Sequence, residues 1–243
     1  MTATKTKALQ HYRVTHTLVH YIGSEMPANT ITYTASLRLQ RKGLLAKIEI
    51  DRRAFFIMAP ESILDELSIR TLQILYPLQI NHQADGTAVT IVNKDDIQLR
   101  WQAMGPLIEA PSGDDITANL LQQAHNRITN HMPPDHILQH DLFIQTYLLS
   151  KRKDQPAEIP MRDVTYQVVK QVNTIHENRE REMHIIGKLP DEQAGELYYN
   201  CVTAPDTSEF ISSRCEIFHY LGQRLSLREQ LLIMPIHPSS KLK

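Results

Sequence analysis

The stretch from Ile31 to Gln40 alternates apolar and polar residues without a break, and this pattern limits the fold more than any other part of the chain. A period of two places all the apolar side chains on one face of a β-strand, so the strand needs one buried and one solvated side. Similar alternation from Tyr12 to Ile22 and from Ala46 to Asp51 predicts three sequential antiparallel strands.

A second recognisable unit runs from residue 60 to residue 108. Pro60 opens a helical pattern that Tyr76-Pro77 ends, and a hairpin with an Asp85-Gly86 turn follows. The next helical pattern contains Ile97, Trp101, Met104 and Ile108. The order helix, hairpin, helix is therefore predicted for this unit.

The remaining patterns place more helices in the middle of the chain and strands at its end. Apolar spacing predicts one helix around residues 114–128 and a buried one from Asp135 to Ser150. Alternation returns after residue 160 in four segments, and residues 225–236 fit a helix or a strand, of which we favour the strand.

These elements predict an α+β fold. Curved antiparallel β-sheets from both ends of the chain would pack against a central layer of about four helices. We expect an N-terminal region at 11–150 that combines strands with the helical layer, a linker at 151–160 and a C-terminal antiparallel β-rich region at 161–238. The two regions could form one continuous fold.

Composition limits the classes of function. The net charge is −1 and no basic stripe is present, which argues against a nucleic-acid partner. Two cysteines, no signal-peptide pattern and no run of ~18 apolar residues predict a cytoplasmic protein without a membrane span. Because the sequence contains no G-x-G-x-x-G, phosphate-loop or G-x-S-x-G pattern, no motif predicts a cofactor or the commonest hydrolase chemistry.

Histidine provides the one candidate metal site. His136 and His140 are four residues apart on a predicted helix, so their rings share a face, and Asp141 is adjacent. A metal-dependent enzyme could use the two histidines as ligands, with Asp141 or His125 as the third. In the alternative interpretation the histidines face solvent, and Asp141 is a structural carboxylate that accepts hydrogen bonds from a helix terminus or pairs with an arginine.

His16 and His20 share a face of the first long predicted strand, about 13 Å apart, which is too far for one metal ion. They could instead make polar contacts in a cavity between sheet and helices, with Trp101 as an apolar contact. The alternative for Trp101 is a residue of the hydrophobic core.

Three functions follow, in order of preference. The first is a non-catalytic interaction or assembly protein that presents a sheet surface or edge to a protein partner or to a second copy of itself. The second is a binder of a small hydrophobic ligand, with contacts from His16, His20 and Trp101. The third is the metal-dependent enzyme built on His136, His140 and Asp141.

Overall fold

In the computed structural model, one antiparallel sheet dominates the fold. The structure describes residues 5–6, 9–21, 28–42, 45–58, 73–83, 85–87, 89–104, 138, 141–152, 156–161, 164–190, 195–204, 209–222 and 224–236. Its N-terminal strands are β1 (Lys5–Thr6), β2 (Gln10–His20), β3 (Ala28–Lys42), β4 (Leu45–Met58), β5 (Leu78–Gln83) and β6 (Thr90–Ile91). Its C-terminal strands are β7 (Glu158–Met161), β8 (Val164–Ile175), β9 (Arg181–Lys188), β10 (Gly195–Thr203), β11 (Phe210–Leu221) and β12 (Arg224–Pro235).

The strands follow the order β6-β5-β4-β3-β2-β12-β11-β10-β9-β8-β7, and β1 pairs with β3 outside this path. The pairing of β2 with β12, in which Leu231 lies opposite His16, joins the N-terminal strands to the C-terminal strands. Both β-rich ends of the chain therefore belong to one sheet, and the end of the predicted linker at 151–160 belongs to β7.

The described residues include two helices with defined bounds, α1 (Lys94–Met104) and α2 (Leu142–Leu149). The prediction of an α+β fold with a layer of about four helices is therefore wrong, because the molecule is mostly a single sheet. Residues 73–75 are the described end of the helix predicted after Pro60, and the helix predicted at 114–128 lies outside the described residues.

The sheet curls around α2. Tyr147 on α2 has its ring centroid 6.0 Å from that of His82 on β5 and 5.9 Å from that of Phe210 on β11. In a flat sheet these two strands, five places apart in the order, would be separated by about 24 Å. One side chain can contact both only if the sheet bends strongly around the helix.

Both edges of the sheet, at β6 and at β7, lie beside α2. The turn of the β5–β6 hairpin, the strand β7 and the C-terminal half of α2 line one groove of about 360 Å³. The helix thus lies in the seam between the two edges of the curled sheet.

The inner face of the sheet, which we define as the face toward α2, carries the hydrophobic core. Strand after strand contributes alternate buried side chains to it, including Val14, Ala35, Ile50, Cys215 and Ile233. The pattern on β4, with Ala46, Ile48 and Ile50 buried between exposed or half-buried neighbours, shows how the sequence alternation selects the face. The predicted strands at 31–40, 46–51 and 225–236 are confirmed. The strand predicted at 12–22 is confirmed as far as His20, where β2 ends, and Ile22 lies outside the described residues.

The predicted hairpin is also confirmed, and its turn explains one glycine. Gly86 has a φ of +80°, and a Cβ atom built on it would lie 2.4 Å from the carbonyl oxygen of Leu148. The turn therefore needs glycine both for its backbone angle and for its close approach to α2.

We expect Gly86→Ala to destabilise the protein by about 3 kcal/mol, because the strain of a positive φ adds to a clash with the helix backbone. Gly222→Ala is the matched control, since Gly222 has a φ of +62° with no atom near its Cβ position. The control should lose only about 1 kcal/mol from backbone strain. Urea unfolding measures both values, and equal losses would contradict the close approach to α2.

Candidate functional site

The arrangement around Asp141 fixes α2 on the sheet. Asp141 caps the helix by accepting a hydrogen bond from the Ile144 amide at 3.0 Å. Its carboxylate also pairs with Arg52 of β4 at 2.6 Å and accepts a hydrogen bond from the Tyr76 hydroxyl at 2.7 Å. These are the two kinds of partner, a helix terminus and an arginine, that a structural carboxylate requires.

Aromatic rings enclose the charged group of Arg52. Its guanidinium carbon lies 4.8 Å from the ring centroid of Tyr33, 4.5 Å from that of Tyr76 and 5.0 Å from that of Phe143. Cation–π contacts of this kind are strongest when the cation is shielded from water, and only 5% of the Arg52 side chain is exposed. Strand β4 and helix α2 are thereby held together by a charge pair inside an aromatic cage.

Electrostatics keeps both partners charged. Burial acts to raise the pKa of Asp141, but the charge of Arg52 and the hydrogen bonds from Arg52, Tyr76 and Ile144 outweigh it and lower this pKa below its ordinary value. Burial acts to lower the pKa of Arg52, and the charge of Asp141 outweighs it. Any metal ion at Asp141 would have to compete with this pair.

His136 and His140, the other two predicted metal ligands, lie outside the described residues. Within the part of the chain that the structure describes, no group of three or more metal-binding side chains comes together. The metal site therefore stays a prediction from sequence.

His16 is part of a polar pair on the inner face of the sheet. Its Nε2 atom lies 2.7 Å from Oε1 of Glu229, whose side chain is only 5% exposed, while 26% of the His16 side chain is accessible. A buried carboxylate needs such a partner because its desolvation is expensive. The pair joins β2 to β12 from inside.

The other two predicted ligand contacts lie elsewhere. His20 is half-buried opposite Leu227 of β12, and Trp101 is buried on α1. None of the three grooves that the described residues line includes His16, His20 or Trp101 in its lining. Their role in binding a ligand stays a prediction.

The largest of these grooves lies at one end of the sheet, where β2 and β11 begin and where β10 and β12 end. Its volume is about 680 Å³, and we call it the strand-end groove. Apolar side chains form much of its lining, namely those of Leu9, Tyr12, Ala204, Phe210, Ile211, Pro235 and Ile236. The size falls within the range of about 300–1,000 Å³ that is usual for small-molecule sites.

Hydrogen bonds make the floor of the strand-end groove rigid. The Tyr12 hydroxyl donates to the carbonyl oxygen of Phe210 at 2.7 Å, and the two rings lie 5.4 Å apart. Burial, followed by the proximity of Tyr147, Glu209 and Cys201, raises the pKa of Tyr12, so its hydroxyl keeps its proton. The side chains of Tyr12 and Phe210 are only 2% and 1% exposed, so the two rings support the groove from beneath.

One polar pair lies at the rim of the groove. The amide nitrogen of Gln10 donates to the carboxylate of Glu209, and the Tyr12 hydroxyl lies 3.1 Å from Oε1 of Gln10. An apolar pocket with a few convergent polar groups is the usual form of a binding site for a small molecule.

Sequence reasoning missed Arg52, Glu229 and the strand-end groove. The sequence does indicate that the two charged residues are buried. The period of two puts Arg52 on the same face as Ile48 and Ile50, and Glu229 on the same face as Leu231 and Ile233. No such signal marks the groove, since Tyr12 and Phe210 are 198 residues apart in sequence.

We expect Asp141→Asn to lower the free energy of unfolding at neutral pH by about 3–5 kcal/mol, because it leaves the buried Arg52 charge without its partner. The lowered pKa means that Asp141 stabilises the fold fully above its unfolded pKa of about 3.9 and loses this effect as the pH falls further. The difference between the wild type and the variant should therefore shrink below about pH 4.

Thermal unfolding between neutral and acid pH tests this expectation. Asp51→Asn is the control, since it breaks the exposed pair of Asp51 with Arg53 and should change stability by less than about 1 kcal/mol. A difference between wild type and Asp141→Asn that does not vary with pH would contradict the role of the Asp141 charge.

Comparison with known proteins shows only distant structural likeness. No protein-family model and no curated protein matches the chain. Among solved structures, one described as "lipid-protein interactions in lipovitellin" aligns with a TM-score of 0.41 and 9% identity over 94% of this chain. The aligned part spans 25% of that longer chain. A DUF1329 family protein from Desulfovibrio piger aligns with a TM-score of 0.19, 4% identity and coverage of 96% of this chain and 88% of that one.

No helix in the described part of the chain is long and apolar enough to cross a membrane. At these levels of similarity no family can be assigned to the chain. Its function has to be argued from its own geometry.

Proposed function

We propose that the protein binds a small hydrophobic or amphiphilic molecule in the strand-end groove. The observation that carries this proposal is the groove itself, a concavity of about 680 Å³ with a largely apolar lining and a polar rim at the end of a curled sheet. A ligand of this kind would place its apolar part on Leu9 and Ile236, which are 45% and 37% exposed, and its polar end near Gln10 and Glu209.

The charge of the rim favours some polar ends over others. Glu209 is a carboxylate, so a neutral or cationic group beside it is favourable, whereas an anionic group is repelled. Burying the apolar part of the ligand supplies the main driving force, at about 25 cal/mol per Å² of apolar surface. We therefore expect selectivity for neutral or cationic amphiphiles.

Ala204→Phe tests the site by filling the groove. The neutral fluorescent probe N-phenyl-1-naphthylamine should bind the wild type and bind the variant at least about tenfold more weakly, because the new ring takes the space of the ligand. Thr90→Phe on β6, at an exposed position outside the groove, is the matched control and should bind like the wild type. Equal binding to all three proteins would reject the groove as the site.

The anionic probe 1-anilinonaphthalene-8-sulfonate tests the effect of charge. We expect it to bind the wild type more weakly than the neutral probe does. In Glu209→Gln the affinities of the two probes should be closer to each other, because the variant removes the carboxylate charge. A difference that Glu209→Gln leaves unchanged would show that Glu209 does not determine the choice of ligand.

A further inference from the structure

The second half of β8 is an open strand edge. Backbone pairing with the β7 segment ends where the Val168 amide donates to the Ala157 carbonyl oxygen at 2.9 Å. From Lys170 to Ile175 the strand pairs with β9 on one side, and on the other side no strand of the described residues pairs with it. Apolar side chains here are unusually exposed, with 41% for Val172 and 70% for Ile175.

Other edges that the structure describes carry features that prevent pairing with another chain. The end strands β6 and β7 contain only two and four residues. The free half of β4 contains Ala54 at a φ of +53°, beside a register shift in its pairing with β3. Short strands and local irregularities are the usual protections of a sheet edge. The register shift of β8 lies between Val168 and Lys170, and residues 170–175 themselves pair with β9 in regular register.

We infer that this edge pairs with the same edge of a second copy, antiparallel and with the twofold axis at Val172. In that register Val172 faces its own counterpart, Gln171 faces Asn173, and Lys170 faces Thr174. The regular pairing ends at Lys170, because the register shift of β8 lies between Val168 and Lys170. A twofold interface requires such self-complementarity, because each residue meets its partner twice.

The chemistry of the pairs supports this register. β-branched residues directly opposite each other stabilise a sheet, and side-chain amides opposite each other form hydrogen bonds. The segment's single charged residue, Lys170, meets a threonine, so no like charges are opposed. The dimer would continue the sheet of one protomer into that of its partner, and it does not depend on the proposed ligand.

Cross-linking tests the position of the axis. With Val172→Cys, the two introduced thiols face each other across the axis at the Cα separation of about 4.5–5.5 Å that an antiparallel pair provides, which suits a disulfide. With Ile175→Cys, the thiols would be about 20 Å apart along the strands and should not cross-link. The native Cys201 and Cys215 are buried and give no background. Cross-linking of Ile175→Cys as readily as Val172→Cys would overturn the register.

Two substitutions at Thr174 test the pairing with Lys170. Thr174→Lys places like charges opposite each other twice in the dimer and should weaken dimerisation about tenfold, whereas Thr174→Glu should leave it unchanged or strengthen it. Within one chain Thr174 lies opposite Glu182 of β9, so in the monomer lysine is the favourable substitution and glutamate the unfavourable one. Thr174→Lys should therefore be the weaker dimer but the more stable monomer, and Thr174→Glu the reverse. This opposite ranking distinguishes an effect on the interface from a general loss of stability.

Light scattering across a dilution series measures the dimer, and thermal unfolding measures the monomer. The inference is supported if the wild type dimerises and Thr174→Lys shifts the equilibrium toward monomer while Thr174→Glu does not. It is overturned if the wild type is monomeric at every concentration, or if both variants shift the equilibrium equally.

Discussion

The buried charge pair of Arg52 and Asp141 determines where α2 lies, and the other inner-face contacts depend on that position. Strand β4 supplies the arginine, and the residue that caps α2 supplies the carboxylate, so one interaction starts the helix and attaches it to the sheet. Separating such a pair would leave a charge in a region that water does not reach. The helix therefore has one stable location on the inner face.

Curling around α2 allows a single sheet to bury its own apolar face. Tyr33 contacts Phe143 near one end of the helix, and near the other end the Tyr199 hydroxyl donates to the Thr146 carbonyl oxygen at 3.1 Å. The eight-residue helix is about 12 Å long, and the strands come to it from several directions. At the end of the sheet, where strands stop and no residue of α2 lines the surface, the strand-end groove lies beyond the contact between Tyr147 and Phe210.

The local structure could be predicted from the sequence, but the closure of the sheet could not. Alternation identified the long strands and the face that each one buries, and Asp85-Gly86 identified the hairpin. The pattern of a strand, however, does not say which strand lies beside it. Arg52 and Asp141 are 89 residues apart, and nothing in either segment indicates the other. The predicted helical layer was wrong for this reason, since amphipathic patterns show that surfaces are buried but not what covers them.

The pairing of β2 with β12 has a consequence for the order of folding. His16 and Glu229 are 213 residues apart, so the central strand pair of the sheet joins segments from opposite ends of the chain. During synthesis β2 has β3 on one side, and its other side stays unpaired until β12 has been made. Non-local pairing of this kind is slow, and a waiting edge exposes backbone groups to other chains. Until then the unpaired edge of β2 is open to pairing with another chain.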